Sequence, residues 1–197
     1  IEVLFTPIEN DSNNQITFLE KIIDKRKPTI LLQILNIENG DTTLRGAFYT
    51  PNTLEALSQA INVNLDIIND KIKSVFHKRK SKVFTLTNES NEAYEVLFEV
   101  IRPKIKLVCI GDNYDVNAFM SIAKPLGWEI HVAGKQRKLS KMVYAAATQV
   151  HSLEAAKNIS IDDYTAIVLM SHDYKIDLTL LKEYIQKNVP YIGLLGP

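Results

Sequence analysis

The feature that most constrains this chain is a change of pattern at Arg102-Pro103. Proline has no amide N–H and cannot pair within a central strand, so these two residues mark a boundary. Beyond them, short apolar runs alternate regularly with helical patterns. Ile105 to Ile110 is a continuous apolar strand, as a parallel sheet covered on both faces requires. Val116 to Leu126 predicts a helix ended near Gly127, and Trp128 to Val132 a second strand. Lys138 to Ala147 reads as a helix with a short strand at Gln149-Val150 behind it, and Ser152 to Lys157 as another short helix. Tyr164 to Met170 is a further buried strand, Leu178 to Lys187 a helix, and Tyr191 to Leu194 the last strand. The alternation predicts an α/β fold, a Rossmann-like, doubly wound parallel sheet of about five strands.

The first half, residues 1–101, reads instead as a smaller α+β region, which leaves 102–197 as the Rossmann-like domain. Ile1 to Pro7 is strand-like, and Asp11 to Asn14 is a polar turn suited to capping the helical pattern of Ile16, Leu19, Ile22 and Ile23. Thr29 to Ile37 is dense in apolar residues but short for a helix, so it reads as a strand, with Thr43 to Tyr49 as its returning partner after the turn at Asn39-Gly40-Asp41. From Pro51 onward, Leu54, Leu57, Ile61, Leu65, Ile68, Ile72 and Val75 line one helical face. Val83 to Thr87 and Ala93 to Val100 read as a hairpin. The chain starts inside a strand-like segment and stops just after another, so both ends read as cut.

Composition removes several function classes. Lys and Arg total 23, Asp and Glu total 23, and a chain with no net charge exerts no global pull toward nucleic acid or anionic lipid. No apolar run approaches the roughly 20 residues of a membrane span. A lone cysteine, Cys109, excludes an internal disulfide framework and suits a reducing cytoplasm. It sits inside an apolar strand, where an inert core thiol is expected. His77, His131 and His151 lack neighbours at metal-ligand spacing, which argues against a zinc site. The run His77-Lys78-Arg79-Lys80 ends a helix, where cations complement the dipole. No G-x-S-x-G, Walker A or Cys-x-x-Cys pattern occurs.

Three segments could carry a ligand. Gly111 stands at the turn after the first strand of the second domain, followed by Asp112-Asn113-Tyr114-Asp115-Val116. A dinucleotide-binding turn needs two further glycines here, and an acid after the second strand, where Ala133-Gly134-Lys135 stand instead. Asp112 and Asp115 would also repel a phosphate, so NAD(P) is not expected to bind well. Lys135 and Arg137 either favour a phosphate or are solvated loop charges. Ser171-His172-Asp173 directly follows the strand ending at Met170, at the edge where ligands of parallel sheets bind. There His172 either meets an anion, with Asp173 or Asp177 fixing its tautomer, or caps the next helix. Gly193-Leu194-Leu195-Gly196 offers either close backbone approach or a simple turn.

Several of these segments, in this order, resemble the XdhC/CoxI family. Phe98 to Pro103, leading into Lys106-Leu107-Val108-Cys109-Ile110-Gly111, is similar to the entry of that family's Rossmann domain. Leu126-Gly127-Trp128-Glu129-Ile130 resembles its second strand, Met170-Ser171-His172-Asp173 with Asp177-Leu178 its M-T-H-D motif and following D-L, and Pro190 to Gly196 its P-Y-I-G-L-L-G segment. Ile1 to Leu4 fits the strand after the family's N-terminal cysteine-containing motif. Two features depart from the pattern: the first turn, G-A-G-H in the family, keeps only Gly111, and the acids after the second strand are gone.

The resemblance implies a maturation factor that binds molybdenum cofactor and delivers it to a molybdenum hydroxylase such as xanthine dehydrogenase, without catalysis of its own. A homodimer is a further implied possibility, and neither nucleic acid nor membrane is an expected partner. The cofactor-binding residues expected on position are Gly111, Asn113, Ser171, His172, Asp173 and Gly193. Two rival readings stand beside this one: an NAD(P)-linked oxidoreductase on the same fold, and a ligand-free interaction domain.

Overall fold

The structure, a computed structural model, describes residues 14–23 and 25–196 together with Phe5 and Ile8. Apart from Phe5, the strand expected over Ile1 to Pro7 lies outside the described residues. Two compact units divide the chain, Ile1–Pro103 and Lys104–Pro197.

In the first unit, α1 (Gln15–Ile22) starts at Asn14, whose side chain accepts the Thr17 N–H at 2.8 Å. Then come β1 (Thr29–Glu38), β2 (Phe48–Tyr49), α2 (Leu54–Ile61), α3 (Leu65–Lys78), β3 (Lys82–Thr87) and β4 (Ala93–Ile101). The strands form an antiparallel sheet in the order β2-β1-β4-β3, and the β3–β4 hairpin is the one expected. Leu32, Ile34, Val96 and Phe98 from the sheet and Leu57, Ile61 and Ile68 from the helices share one core.

Two expectations fail here for local reasons. Only Phe48 and Tyr49 of the expected return strand form ladder pairs with β1, with Gly46 and Ala47 bonding to Ile34 just before them, because Thr42–Leu44 is a 3-10 turn. The Asp41 carboxylate accepts the Thr43 N–H at 2.9 Å and its hydroxyl at 2.6 Å, and holds that turn. The long helical face is two helices, broken where Asn62 turns left-handed (φ +50°). Asn64 restarts the chain by accepting the Asp66 N–H at 2.7 Å. Asparagine tolerates both jobs, whereas the apolar periodicity runs through the break in phase and hides it.

The second unit contains β5 (Lys106–Ile110), α4 (Tyr114–Ala123), β6 (Glu129–Gly134), α5 (Lys141–Ala146), β7 (Gln149–Ser152), β8 (Thr165–Leu169), α6 (Tyr174–Ile185) and β9 (Tyr191–Leu194). Its five strands are all parallel, in the order β7-β6-β5-β8-β9, so the expected Rossmann-like sheet is present and β8 pairs parallel with β5 as predicted. All five residues of β5 are buried, which accounts for the apolar run Leu107 to Ile110, while the charged Lys106 at its start is buried with its ammonium bonded to Ser160. Leu107, Cys109 and Val132 pack with Val116 and Met120 of α4 and Val143 of α5 on one face. Val108, Ile110, Ile167 and Leu169 pack with Leu180 and Tyr184 of α6 on the other. Cys109 is fully buried, and burial pushes its thiol up to about 12, as suits an inert core group.

Boundaries moved where caps decide them. α6 begins at Tyr174, four residues before the apolar pattern suggested, because the Asp173 carboxylate accepts the N–H groups of Lys175 and Ile176 at 3.0 and 3.3 Å. The helix expected over Lys138 to Ala147 is a 3-10 turn at Gln136–Lys138 and then α5, which Ser140 caps through the Val143 N–H. The helix expected at Ser152 to Lys157 is reduced to a 3-10 turn at Ala156–Asn158.

Tyr184 ties α6 to that turn. Its ring is fully buried, its hydroxyl donates to the Ala156 carbonyl at 2.7 Å, and burial pushes the phenol up to about 12. Tyr184→Phe leaves that carbonyl without its partner and should cost about 1–2 kcal/mol in urea unfolding. Tyr184→Ala should cost about 3–5 kcal/mol. Equal stability of wild type and Tyr184→Phe would show that the hydroxyl does not secure α6.

Candidate functional site

Strand order reverses at β5, with β6 on one side and β8 on the other, and the helices that follow β5 and β8 lie on opposite faces of the sheet. A crevice therefore opens at the carboxyl edge between them. Gly111, Asp112 and Asn113 line it from the loop after β5, and Ser171, His172 and Asp173 from the loop after β8. Lys135, Lys138, Leu153 and Ile176 complete it. Five of the six residues expected on position thus meet. Gly193 does not join them: it lies inside β9, in register with Val168 and one strand beyond β8, where a Cβ would press on the Tyr191 ring at 3.2 Å. Arg137 is likewise absent from the lining, and Lys138 stands there instead.

The reason for Gly111 differs from the one the sequence suggested. A Cβ at Gly111 would sit 2.4 Å from the Met170 carbonyl oxygen, so the glycine lets the loop after β5 touch the loop after β8. Gly134, at the end of β6, is packed the same way, since its Cβ would lie 2.6 Å from the Gly111 carbonyl oxygen. Both glycines close the sheet edge upon itself. At about 220 Å³ the crevice is smaller than the roughly 300–1,000 Å³ typical of small-molecule pockets.

Its carboxylates are spent internally. Asp115 Oδ1 accepts the Val116 N–H at 3.0 Å, within the first turn of α4. Asp173 fills the N-terminus of α6. Asp112 accepts the Lys135 N–H at 3.1 Å and stands 3.7 Å from the Lys138 ammonium. The N–H groups of a helix terminus ordinarily attract anions, yet here side-chain carboxylates of the chain already sit among them.

His172 is held by a residue that the sequence did not nominate. Its Nε2 lies 2.6 Å from Asp115 Oδ2, across 57 residues of chain, and its backbone is left-handed (φ +56°). Asp173 and Asp177, the expected partners, act elsewhere: Asp173 caps α6, and Asp177 accepts the Ser171 hydroxyl at 2.6 Å. With Nε2–H donating to the carboxylate, a neutral His172 presents Nδ1 as an acceptor. The side chain is 38% exposed, so that nitrogen is within reach of a ligand or of water. Asn113 stands at the N-cap position of α4, but its side chain makes no capping bond, which leaves an amide for recognition. The arrangement can accept a hydrogen bond at His172 Nδ1 and meet a small polar or anionic group with Asn113, Lys135 and Lys138. It is poorly suited to cradling a dinucleotide pyrophosphate.

Among the described residues no group of three histidine, cysteine or acidic side chains could hold a metal ion. No helix among them is long and apolar enough to cross a membrane. His131 and His151, which look unconnected in the sequence, touch each other at 3.1 Å on adjacent strands. Parallel pairing of β6 with β7 brings them together, and only a correct strand order could have revealed it.

Residues 107–197 match the XdhC Rossmann domain family. Among solved structures, the chain is similar to one described as a xanthine dehydrogenase from Bacillus halodurans, at 13% identity, covering 92% of this chain and 81% of that one, with a TM-score of 0.47. A search of curated proteins gives no match.

Gly111→Ala places a methyl group against the Met170 backbone, which has no flexible end to swing aside. Chemical denaturation should show a loss of about 1–3 kcal/mol, the usual range for overpacking. Unchanged stability would mean that the two loops separate easily and that the crevice is not rigid.

Proposed function

From a chain whose residues 107–197 form an XdhC Rossmann domain, we propose a non-catalytic accessory protein that binds molybdenum cofactor and delivers it to a xanthine-dehydrogenase-type enzyme. The cofactor is cargo here, and the client enzyme is where it acts. The observation that carries the reading is the meeting of Gly111, Asn113, Ser171, His172 and Asp173 at the switch point of a domain of this family. These residues come from two loops far apart in sequence.

The fit of the cargo to the crevice is partial. A space of about 220 Å³ takes one polar end of a pterin-phosphate molecule and leaves the rest outside. The phosphate end is the better match, with Lys135 and Lys138 supplying charge and the Asn113 amide a donor, while His172 Nδ1 is left to accept from an N–H or O–H of the cargo. The chain's own carboxylates at both helix termini keep that hold loose, which suits a carrier that must surrender its cargo. The same carboxylates favour a second reading, a ligand-free interaction domain whose crevice has closed on itself. They weigh against an NAD(P)-linked oxidoreductase.

Mass spectrometry of small molecules released from the purified protein separates the two surviving readings. A pterin species should accompany the wild type. His172→Ala should bind it more weakly by about 1–3 kcal/mol, roughly 5- to 150-fold, if a cargo donor is left without its acceptor. Folding should survive, because His172 contributes little to the core. Retention unchanged in folded His172→Ala would remove His172 from the site, and no pterin in either protein would favour the ligand-free domain.

A further inference from the structure

On the α6 face of the second sheet, near the start of its strands, lies a polar cluster that the crevice does not use. His131, 4% exposed, stands at the middle of it on β6. Its Nε2 lies 2.7 Å from Glu129 Oε1 on the same strand, and its Nδ1 lies 3.1 Å from His151 Nε2 on β7. The two imidazoles meet edge to edge and nearly coplanar, with centroids 5.3 Å apart and planes 16° from parallel. Lys106 of β5 is buried nearby, with its ammonium donating to the Ser160 hydroxyl and carbonyl at 3.1 and 3.3 Å. Glu129 on the same strand and His151 on β7 face His131, and the charge of Lys106 on β5 acts on His151.

Hydrogen-bond chemistry limits how many protons this pair can hold. Beside a carboxylate, His131 Nε2 carries a proton. The 3.1 Å line between the rings holds one proton, donated from His151 to His131 or the reverse. One added proton is accommodated: His131 becomes a cation that donates to Glu129 on one side and to His151 on the other. A second added proton is not. Both facing nitrogens would then carry hydrogen, and two like charges would meet across the 3.1 Å contact.

We propose that the hydrogen-bonded His131–His151 pair, backed by Glu129, is a proton-operated latch that holds edge strand β7 to the sheet and opens when the pair takes up its second proton. His151 is the titrating half, since burial, and then the charges of His131 and Lys106, hold its pKa below the usual histidine value. The folded protein therefore binds fewer protons there than the unfolded chain does. The stability contributed is whole above an ordinary histidine pKa of about 6.5 and is lost as pH falls below it. β7 is four residues long and pairs on one side only, with β6, and the latch adds a side-chain bond to that single ladder. Its release reaches the crevice, because Leu153 follows β7 directly and lines that space. The latch is independent of which cargo, if any, the crevice carries.

Hydrogen exchange of the whole chain between about pH 7.5 and pH 5 tests this, with rates corrected for intrinsic pH dependence. Opening of the Gln149–Ser152 amides should rise about tenfold or more at the acid end, while β5 and β8 stay protected. His151→Gln keeps a donor for His131 Nδ1 and cannot titrate, so it should abolish that rise. An equal rise in His151→Gln, or no rise in the wild type, overturns the latch. Should the variant not fold, imidazole nitrogen shifts of the wild type decide instead. Opening of β7 must track protonation of His151, and protonation without opening overturns the proposal.

Discussion

The second unit is organised by a contact that contains no side chain at all. The loops after β5 and β8 meet backbone to backbone, where a Cβ on Gly111 would lie 2.4 Å from the Met170 carbonyl oxygen. Gly134 then brings the end of β6 against Gly111 in the same manner. Three adjacent strand ends are thereby drawn into one tight edge, and α4 and α6 leave it on opposite faces. Wider spacing would give a larger crevice and would separate Asp115 from His172. A glycine turn that looks like an eroded nucleotide motif is, physically, a packing device.

Once the edge is closed, the carboxylates around it settle its chemistry. Asp115 and Asp173 occupy the first turns of α4 and α6, while Asp112 answers Lys135 and Lys138. Each of these acids raises the threshold for an incoming anion, because its negative charge repels the ligand and its oxygens already hold N–H groups the ligand would need. What remains open to a partner is His172 Nδ1, the Asn113 amide and the two lysines. Weak, reversible contact with a polar group is the behaviour such a set supports.

The sheet was legible in the sequence because burial on both faces leaves a plain trace. The runs Ile105 to Ile110 and Tyr164 to Met170 have that trace, and they became β5 and β8. Capping was harder to read, since Asp173 starts α6 before any apolar residue announces it. Breaks were hardest where periodicity persisted across them, as at Asn62 between α2 and α3. At the crevice, position after a strand located five residues without revealing their partners. The Asp115–His172 and His131–His151 contacts span strands and depend on strand order, which no local pattern encodes.

The central claim is that this switch point has turned its anion-binding donors inward and no longer holds a dinucleotide. Calorimetric titration of the protein with NAD tests it most directly. The account predicts a Kd weaker than roughly 0.1 mM, about −5.5 kcal/mol. Micromolar binding would contradict it, because affinity of that order needs the helix N-termini that Asp115 and Asp173 now fill.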